Sequence, residues 1–591
     1  MCGIQLFISQ AGQSPDIQNQ LQKLTKEITK ANSNRGPDYH GQVHTTTNNN
    51  TMDLDFGSHV LYLRGLEVEP QPIQNKNHSQ DVFCWNGEIF DDPAIGIHEN
   101  DGKILFEKLQ NALSVTTSSS SETTQAILTV FENVRGPYAF IFYHERDNRL
   151  WFGRDCLGRR SLVWHLPNEK FPVFNSCDDE QEVDSTKFWH EVKAKRIYSL
   201  DMNKISDIKK LPFDKINTQI PANSELINLD KDALLKTTKS LGKQYQEAIT
   251  NLQTHLIKAI RDRAENIPNP VNNNNNNKST TPDPRVCILF SGGIDCTIIA
   301  ALLSQIIESK EEPIELINVA FENPRQLKHK NAQKKNTLNP KGSSQNLFNV
   351  PDRKTGRKSF MELRKIDPQR EWRFIEVNVK YEEVLEWRNH VVNLINPNLS
   401  VMEYSIGIAL WFAARGQGKL WNPDQDDDGD EEESNNNFYQ RKAKVALLGM
   451  GADEQFGGYS RHRTSWDRSK NNNDHDSGWP KLIEEIQFDV GRISSRNLGR
   501  DDRVVSDHGL EARFPFLAEN VVNYISALPI HIKMDFNYER GIGDKLLLRL
   551  LAQQKLGLDN ASRLAKRAIQ FGARTAKMET SKDHGDDIIK F

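Results

Sequence analysis

The sequence predicts an α/β fold for the C-terminal half of the chain, preceded by a separate domain, and three stretches carry the α/β part. The first is Arg285 to Ala301, RVCILFSGGIDCTIIAA, an apolar run that breaks at two glycines and resumes as a second apolar run. Val286 to Phe290 is too short for a buried helix and rich in strand formers, whereas Thr297 to Ile307 carries apolar residues around a helical period. The second stretch, Ile314 to Phe321 (IELINVAF), reads as the next parallel strand. The third, Lys444 to Tyr459 (KVALLGMGADEQFGGY), repeats the theme of a strand followed by glycines and carries the acidic pair Asp453-Glu454.

The loop of the first stretch is Ser291-Gly292-Gly293-Ile294-Asp295-Cys296. Glycines tolerate positive φ and let backbone N–H groups approach a ligand closely, and the following helix presents its positive end to an anion. A phosphate would fit there, and Asp295 is placed to hold the Mg²⁺ that accompanies ATP. A lone Gly-Gly would read as a turn with Asp295 as a helix cap; strand, SGGxD and helix together favour the phosphate. The stretch resembles the pyrophosphate-binding loop of the ATP-pyrophosphatase superfamily, whose members cleave ATP to AMP and pyrophosphate. That family usually has Ser where Cys296 stands, a mild departure because backbone amides supply most of such a cradle. The other common phosphate loop, G-x-x-x-x-G-K-[ST], is absent from the sequence.

At 591 residues the chain can bury several cores, and a prior of about 150 residues per domain allows four. The motifs suggest two, enlarged by polar insertions that also explain a hydrophobic content of 37%. With 76 basic against 80 acidic residues, the net charge of −4 gives no sign of a nucleic-acid-binding field. The six cysteines lack C-x-x-C spacing and do not read as a disulfide framework or zinc site, so a reducing compartment such as the cytoplasm fits. The apolar run Ile406 to Ala414 is far short of the ~20 residues that span a bilayer, so no membrane partner is expected. Nothing at the N-terminus reads as a signal peptide.

The chain starts Met1-Cys2-Gly3-Ile4, a strand-like beginning with cysteine at position two. Removal of Met1 would put a thiol and an α-amine on one residue, and an amine with a pKa near ~7.7–8.0 can act as base for that thiol. Alone, this would be a small buried cysteine. Further motifs reverse that judgement: Asn34-Arg35-Gly36-Pro37-Asp38, Gln71-Pro72-Ile73, Asn86-Gly87-Glu88-Ile89, Asn100-Asp101-Gly102 and Gly153 to Arg160. In this order behind Cys2 they resemble class II glutamine amidotransferase domains, the N-terminal-nucleophile glutaminases.

The resemblance implies an antiparallel-sheet sandwich of α+β class, in which a Cys2 thiolate attacks the glutamine side-chain amide and ammonia is released. Asn86 and the Gly87 N–H would form the oxyanion site. Arg35 would clamp the substrate carboxylate, and Asp101, with Glu88 nearby, would face its ammonium. The polar runs Thr45 to Thr51 and Ser114 to Gln125 read as disordered loops. Where the family often shows a Ser-Glu-x-Lys-like segment after its last strand, Asn175 to Asp179 differs.

Downstream, an amphipathic helix is expected over roughly Lys243 to Glu265, then an Asn/Pro-rich tether around Asn272 to Asn277. Gln326 to Asn346 and Asp424 to Asn437 read as charged insertions. Leu399 to Gly416 has the pattern of a buried helix. Lys444 to Tyr459 is similar to the G-x-G-[SA]-D-E-x-F-G-G-Y segment of asparagine synthetases, and His508 to Leu517 to their G-x-E-x-R-x-P-F-L block. The resemblance implies that Asp453 joins Asp295 on Mg²⁺-pyrophosphate, with Ser291, Gly292, Gly293, Cys296, Gly449, Gly451 and Lys566 also at the ATP, and Val319 by the adenine. Lys545 and Arg567 are further candidate phosphate contacts, and Glu511 with Arg513 reads as a structural ion pair.

Together the motifs imply a class II amidotransferase domain over 2–213, a junction over 214–285 and an asparagine-synthetase-like domain over 286–580. The whole resembles the asparagine synthetase domain-containing proteins, a divergent branch. Its expected partners are glutamine, Mg-ATP and a carboxylate acceptor, with no nucleic acid; an oligomer is compatible with it. Ammonia would have to pass between the domains shielded from bulk water. Two departures bear on the synthetase step. Met450 stands where asparagine synthetases carry Glu between the two glycines, and losing an acid–base Glu would cost ~10²–10⁴ in rate, or roughly 3–5 kcal/mol of barrier. An ungapped alignment by eye puts Glu403 where they have the Arg of T-x-R-A-S-x-P. Three readings stay open: an asparagine synthetase, an amide ligase for another carboxylate, and a glutaminase joined to a synthetase-like binding module.

Overall fold

The computed structural model describes residues 2–10, 15–75, 80–116, 120–165, 189–204, 208–221, 242–265, 267–268, 282–322, 347–424, 438–470, 478–576 and 586–589. The chain forms two compact units. The first holds 1–216, 266–268 and 494–511, and the second holds 217–265, 269–493 and 512–591.

In the first unit, β1 (Gly3–Gln10), β2 (Tyr39–Thr46) and β3 (Met52–Val60) make a three-stranded antiparallel sheet in the order β1-β3-β2. A six-stranded antiparallel sheet runs β11-β10-β7-β6-β5-β4. Its strands are β4 (Ile73–Gln74), β5 (Val82–Gly87), β6 (Tyr138–His144), β7 (Arg149–Arg154), β10 (Arg196–Asp201) and β11 (Ile208–Pro212), while β8 (Val163–His165) and β9 (Trp189–Glu191) pair with each other. Leu54 and Phe56 of β3 meet Val82, Cys84, Ile141 and Tyr143 of the larger sheet in one apolar cluster, so the sheets stack face to face. On the far side of the six-stranded sheet, Phe83, Trp85, Phe140 and Phe142 pack against the helices Asp101–Ser114 and Ser120–Glu132. The helix Pro15–Arg35 is joined to β1 through Gln5, whose side chain meets Thr29 and Asn32. The result is the layered α+β sandwich the sequence predicted.

Two expected loops prove to be ordered. Thr45 and Thr46 end β2, and the turn that follows enters β3 with Thr47 bonded to Met52 and Asn50 at φ 54°. Of the run Ser114 to Gln125, Ser114 ends one helix and 120–125 start the next, where Thr123 faces inward as Ile127 and Phe131 do, while 117–119 lie outside the described residues. Low-complexity composition concealed one buried position per turn. Residues 175–179, 272–277, 326–346 and 425–437 lie outside the described residues.

The second unit is built on a seven-stranded sheet, β16-β15-β14-β13-β12-β17-β18. Its parallel centre is β14 (Trp372–Val379), β13 (Ile314–Phe321), β12 (Val286–Leu289) and β17 (Val445–Leu447). β15 (Gln417–Leu420) and β16 (Phe438–Gln440) add antiparallel at one edge, and β18 (Glu511–Arg513) closes the other. All eight residues of β13 are buried, which is why its sequence shows no alternation. The expected helices are present at Lys243–Ala264, Ile294–Ile306 and Val401–Arg415. From β12 the chain builds β13 and β14 on one side, then crosses to place β17 on the other. The order therefore reverses between β12 and β17, and open α/β sheets bind ligands in the crevice beyond the carboxyl ends at such a point. Among the described residues no helix is long and apolar enough to cross a membrane.

Candidate functional site

The first unit gathers its candidate residues at the ends of β1 and β5. Cys2 is buried, and its backbone N–H donates to Asn86 Oδ1 at 3.0 Å. Burial pushes the Cys2 thiol up, and Glu511 and Asp101 add to the rise. Asn86 and Gly87 pair with Ala139 and Tyr138 of β6, so the asparagine is fixed by a central ladder. Gly87 has no room for a side chain: a Cβ would lie 2.6 Å from the Trp85 ring.

Beside them stands Arg64, only 4% exposed. Its Nη1 donates to the Ile89 carbonyl at 2.6 Å and lies 3.4 Å from Glu88 and 3.9 Å from Asp101. Its Nε has no hydrogen-bond partner among the described residues. Asp101 starts the helix Asp101–Ser114, accepting from Ile89 N–H at 2.8 Å and Gly102 N–H at 2.9 Å. Burial raises its pKa against the opposing pull of Arg64. A buried guanidinium between two carboxylates, with one N–H unspent, can take a carboxylate while the acids take an ammonium, which is the charge pattern of an α-amino acid.

The second unit gathers its candidates at the β12/β17 reversal. Gly292 has φ 78°, and a Cβ there would lie 2.5 Å from the Gly356 backbone N. Gly293 donates its N–H to Ser291 Oγ at 3.3 Å, and the Cys296 thiol donates to the Gly293 carbonyl at 3.2 Å. Burial pushes that thiol up to about 11, so it acts as a neutral donor in the turn. Gly449 lies against Asp295, with room for a Cβ only 2.8 Å from the Asp295 Cβ, and Gly451 takes φ 93°. Val319 lines β13 at 6% exposure.

Asp295 and Asp453 therefore converge from two loops, and Lys545 bridges them with Nζ 2.6 Å from one and 2.7 Å from the other. Lys566 also pairs with Asp453. Burial and the neighbouring Asp453 push the Asp295 pKa up despite Lys545. For Asp453 burial acts the same way, but Lys545 and Lys566 outweigh it and hold the carboxyl below the usual range. The Asp295 Oδ1 is buried with no hydrogen-bond partner among the described residues. No cluster of three or more His, Cys, Asp or Glu able to hold a metal occurs among the described residues. Two carboxylates, one with an oxygen to spare, fit Mg²⁺, which takes one or two protein carboxylates and completes its shell with phosphate and water.

Gly458 is a sensitive point of this cluster, because a Cβ there would lie 1.9 Å from Asp453 Oδ1 and 2.7 Å from Lys545 Cε. Gly458→Ala should lower stability by about 1–3 kcal/mol through overpacking, read as a lower urea midpoint at unchanged slope.

Comparison with known proteins fits this division. The glutamine amidotransferase domain family matches residues 1–238 and the asparagine synthase family residues 437–589. Asparagine synthetase domain-containing protein 1 of Gallus gallus is 34% identical over 660 residues, spanning 99% of this chain and 98% of the relative. The chain belongs to the asparagine synthetase domain-containing protein family. The Homo sapiens member is 35% identical, covering 99% of this chain and 97% of its own. The glutamine-hydrolysing asparagine synthetase of Pongo abelii is more distant, at 22% identity over 88% of this chain and 76% of that one.

Some of the expected charged residues have partners that their local sequence does not suggest. Arg35 Nη2 lies 2.8 Å from Asp502, and Arg64 occupies the place beside Glu88 and Asp101. A charge pair formed across 467 positions leaves no local signal, although Arg64 directly after the run Leu61 to Leu63 is a hint that a guanidinium is buried. Glu511 lies 3.1 Å from Arg160, and Arg513 donates to the Arg263 carbonyl at 2.8 Å. Of the two departures, Met450 is half-buried in the turn after β17. Glu403 is 5% exposed in the first turn of the helix Val401–Arg415, its N–H capped by Ser400 Oγ at 3.2 Å.

Proposed function

We propose that this chain is a glutamine-dependent amide ligase, releasing ammonia from glutamine at Cys2 and using ATP in the second unit to activate a carboxylate acceptor, with aspartate the first to test. The observation that carries the reading is the set Cys2, Asn86, Arg64, Glu88 and Asp101 within one buried neighbourhood of the first unit. The functional domains are taken as 2–213 and 286–580, in the cytoplasm.

Each residue has a definable task. Arg64 binds the α-carboxylate of glutamine, with Glu88 and Asp101 on its ammonium. The Cys2 sulfur forms a bond to the amide carbon, whose π electrons move to oxygen and are stabilised by Asn86 and the Gly87 N–H. Collapse breaks the C–N bond, the nitrogen leaves as ammonia with a proton returned by the Cys2 amine, and water hydrolyses the thioester to glutamate. In the second unit Ser291 to Cys296 cradle the phosphates, Gly449 and Gly451 keep the facing turn open, and Val319 backs the adenine. Asp295 and Asp453 would hold Mg²⁺, which when bound with ATP neutralises phosphate charge. Lys545 and Lys566 then exchange carboxylate partners for phosphate oxygens.

The direct test incubates the Met1-processed protein with glutamine, aspartate and Mg-ATP and follows glutamate, AMP and asparagine together. Matched AMP and asparagine support the full reading; glutamate and AMP with no asparagine redirect it to another carboxylate. Arg64→Ala should raise the KM for glutamine by about 10²-fold, as expected for a lost charge-assisted carboxylate contact, with a much smaller effect on kcat. Arg35→Ala should leave that KM within about threefold. A larger rise in Arg35→Ala than in Arg64→Ala would return the clamp to Arg35. Met450 and Glu403 favour one further reading, a glutaminase joined to a synthetase-like module that binds nucleotide without ligation. Glutamate release without AMP would select it.

A further inference from the structure

Gln71 takes no part in the chemistry assigned above, yet it lies 4% exposed against the nucleophile. Its Oε1 accepts the backbone N–H of Trp85 at 2.8 Å. Only the carbonyl end of an amide accepts, so that bond decides the orientation and turns Nε2 the other way. Nε2 then stands 3.6 Å from the Cys2 Sγ as a donor to sulfur. The residue has little freedom to leave, because β2 runs against its backbone: a Cβ on Gly41 would lie 2.2 Å from the Gln71 carbonyl oxygen.

Around the sulfur the other influences are mixed. The Leu61 N–H also donates to it, while burial, Glu511 and Asp101 oppose the thiolate. Cys84, buried behind Cys2, is itself a neutral thiol pushed up to about 12 by burial. A buried thiolate in this setting depends on donors aimed at sulfur.

We propose that Gln71 is a catalytic residue of the nucleophile, its side-chain amide N–H donating to the Cys2 thiolate and holding the sulfur on line for attack. The inference rests on the reading of Cys2 as nucleophile. A purely structural Gln71 would serve only the Trp85 N–H. Gln71→Glu separates the two roles, because it keeps the acceptor for Trp85 and the shape while replacing the N–H at sulfur by a carboxylate oxygen. Gln71→Met removes both.

The test is the pH dependence of Cys2 alkylation by iodoacetamide in the full-length chain, read at the Cys2 peptide by mass spectrometry, with thermal melting to confirm folding. In Gln71→Glu the alkylation midpoint should rise by at least about one pH unit, the size of effect that a lost donor and a gained negative charge produce. Gln71→Met should rise by less. A folded Gln71→Glu with the midpoint of the parent chain overturns the proposal, as does a uniform fall in rate with no shift. Should Gln71→Met fail to fold, Gln71→Glu decides alone. The readout needs no glutamine turnover. A parent chain that releases no glutamate but still shows the lower midpoint sinks the glutaminase reading and supports the Gln71 contact; glutamate release with equal midpoints does the reverse.

Discussion

Cys2→Ala should abolish glutamate release from glutamine, a fall on the order of 10³-fold or more, while any ATP cleavage and amide formation supported by added ammonium persist. The size of the loss follows from the surroundings of the sulfur. Cys84 cannot substitute, because it is fully buried and its thiol is held neutral, pushed up to about 12. No other sulfur is within reach of Asn86 among the contacts described. The truncation removes one atom from a small side chain, so the melting temperature should stay close to that of the parent. Parallel assays of glutamate and AMP check the result. Glutamate release that survives in Cys2→Ala would remove the nucleophile assignment altogether. Intact mass adds an independent check: a chain that retains Met1 has no α-amine on Cys2 and should show the same loss.

Lys545→Met is the second large effect, and here it falls first on stability. The ammonium is 1% exposed, and the residue sits at φ 55° at the start of the helix Leu546–Leu556, so it is held in place by its backbone as well as by its partners. Burial alone would lower its pKa, but Asp295 and Asp453 outweigh that and hold it well above the usual lysine range. Removing the charge leaves two buried carboxylates facing each other, and breaking a buried pair in this way costs about 3–5 kcal/mol. A folded-state lysine pKa above the unfolded value contributes stability that is present below the unfolded pKa and lost only as pH rises through the folded one. The contribution is therefore complete at neutral pH. For Asp453, held low, the stability is present above the ordinary carboxylate pKa and lost as pH falls through its folded value. For Asp295, held high, the sign is opposite: folding is penalised as pH rises through the carboxylate range. The Lys545→Met deficit should thus shrink on acidification, and Asp295→Asn in the same chain should recover part of it at neutral pH. Urea denaturation of the single and double variants at two pH values measures this. An additive double variant would show that Lys545 and Asp295 do not interact.

Much of the second unit was legible because its signals are local. Five apolar residues, two glycines and a helix-period run specify β12, its loop and the following helix within one short stretch. IELINVAF, apolar at six of its eight positions, reads as a strand covered on both faces, and all eight residues are buried. What misled in the first unit was composition: Thr45 to Thr51 and Ser114 to Gln125 look like solvated polar runs, yet each contributes to an ordered element. Buried threonines such as Thr47 and Thr123 satisfy or hide a hydroxyl inside the fold, which a hydrophobicity count does not register.

The amino-acid sequence by itself determined the order of the two halves and singled out the candidate residues Cys2, Asn86, Gly87, Asp101, Asp295 and Asp453, because each lies in a short contiguous motif. Tertiary structure alone decided which charges meet. Arg64 stands between Glu88 and Asp101 while Arg35 meets Asp502, Arg160 lies beside Glu511, and Lys545 closes on both acids of the second site. The physical reason is common to all three. A charge is buried only where its counter-charge is brought by another element, and the separation along the chain, 250 residues between Lys545 and Asp295, carries no trace of that meeting in either local stretch.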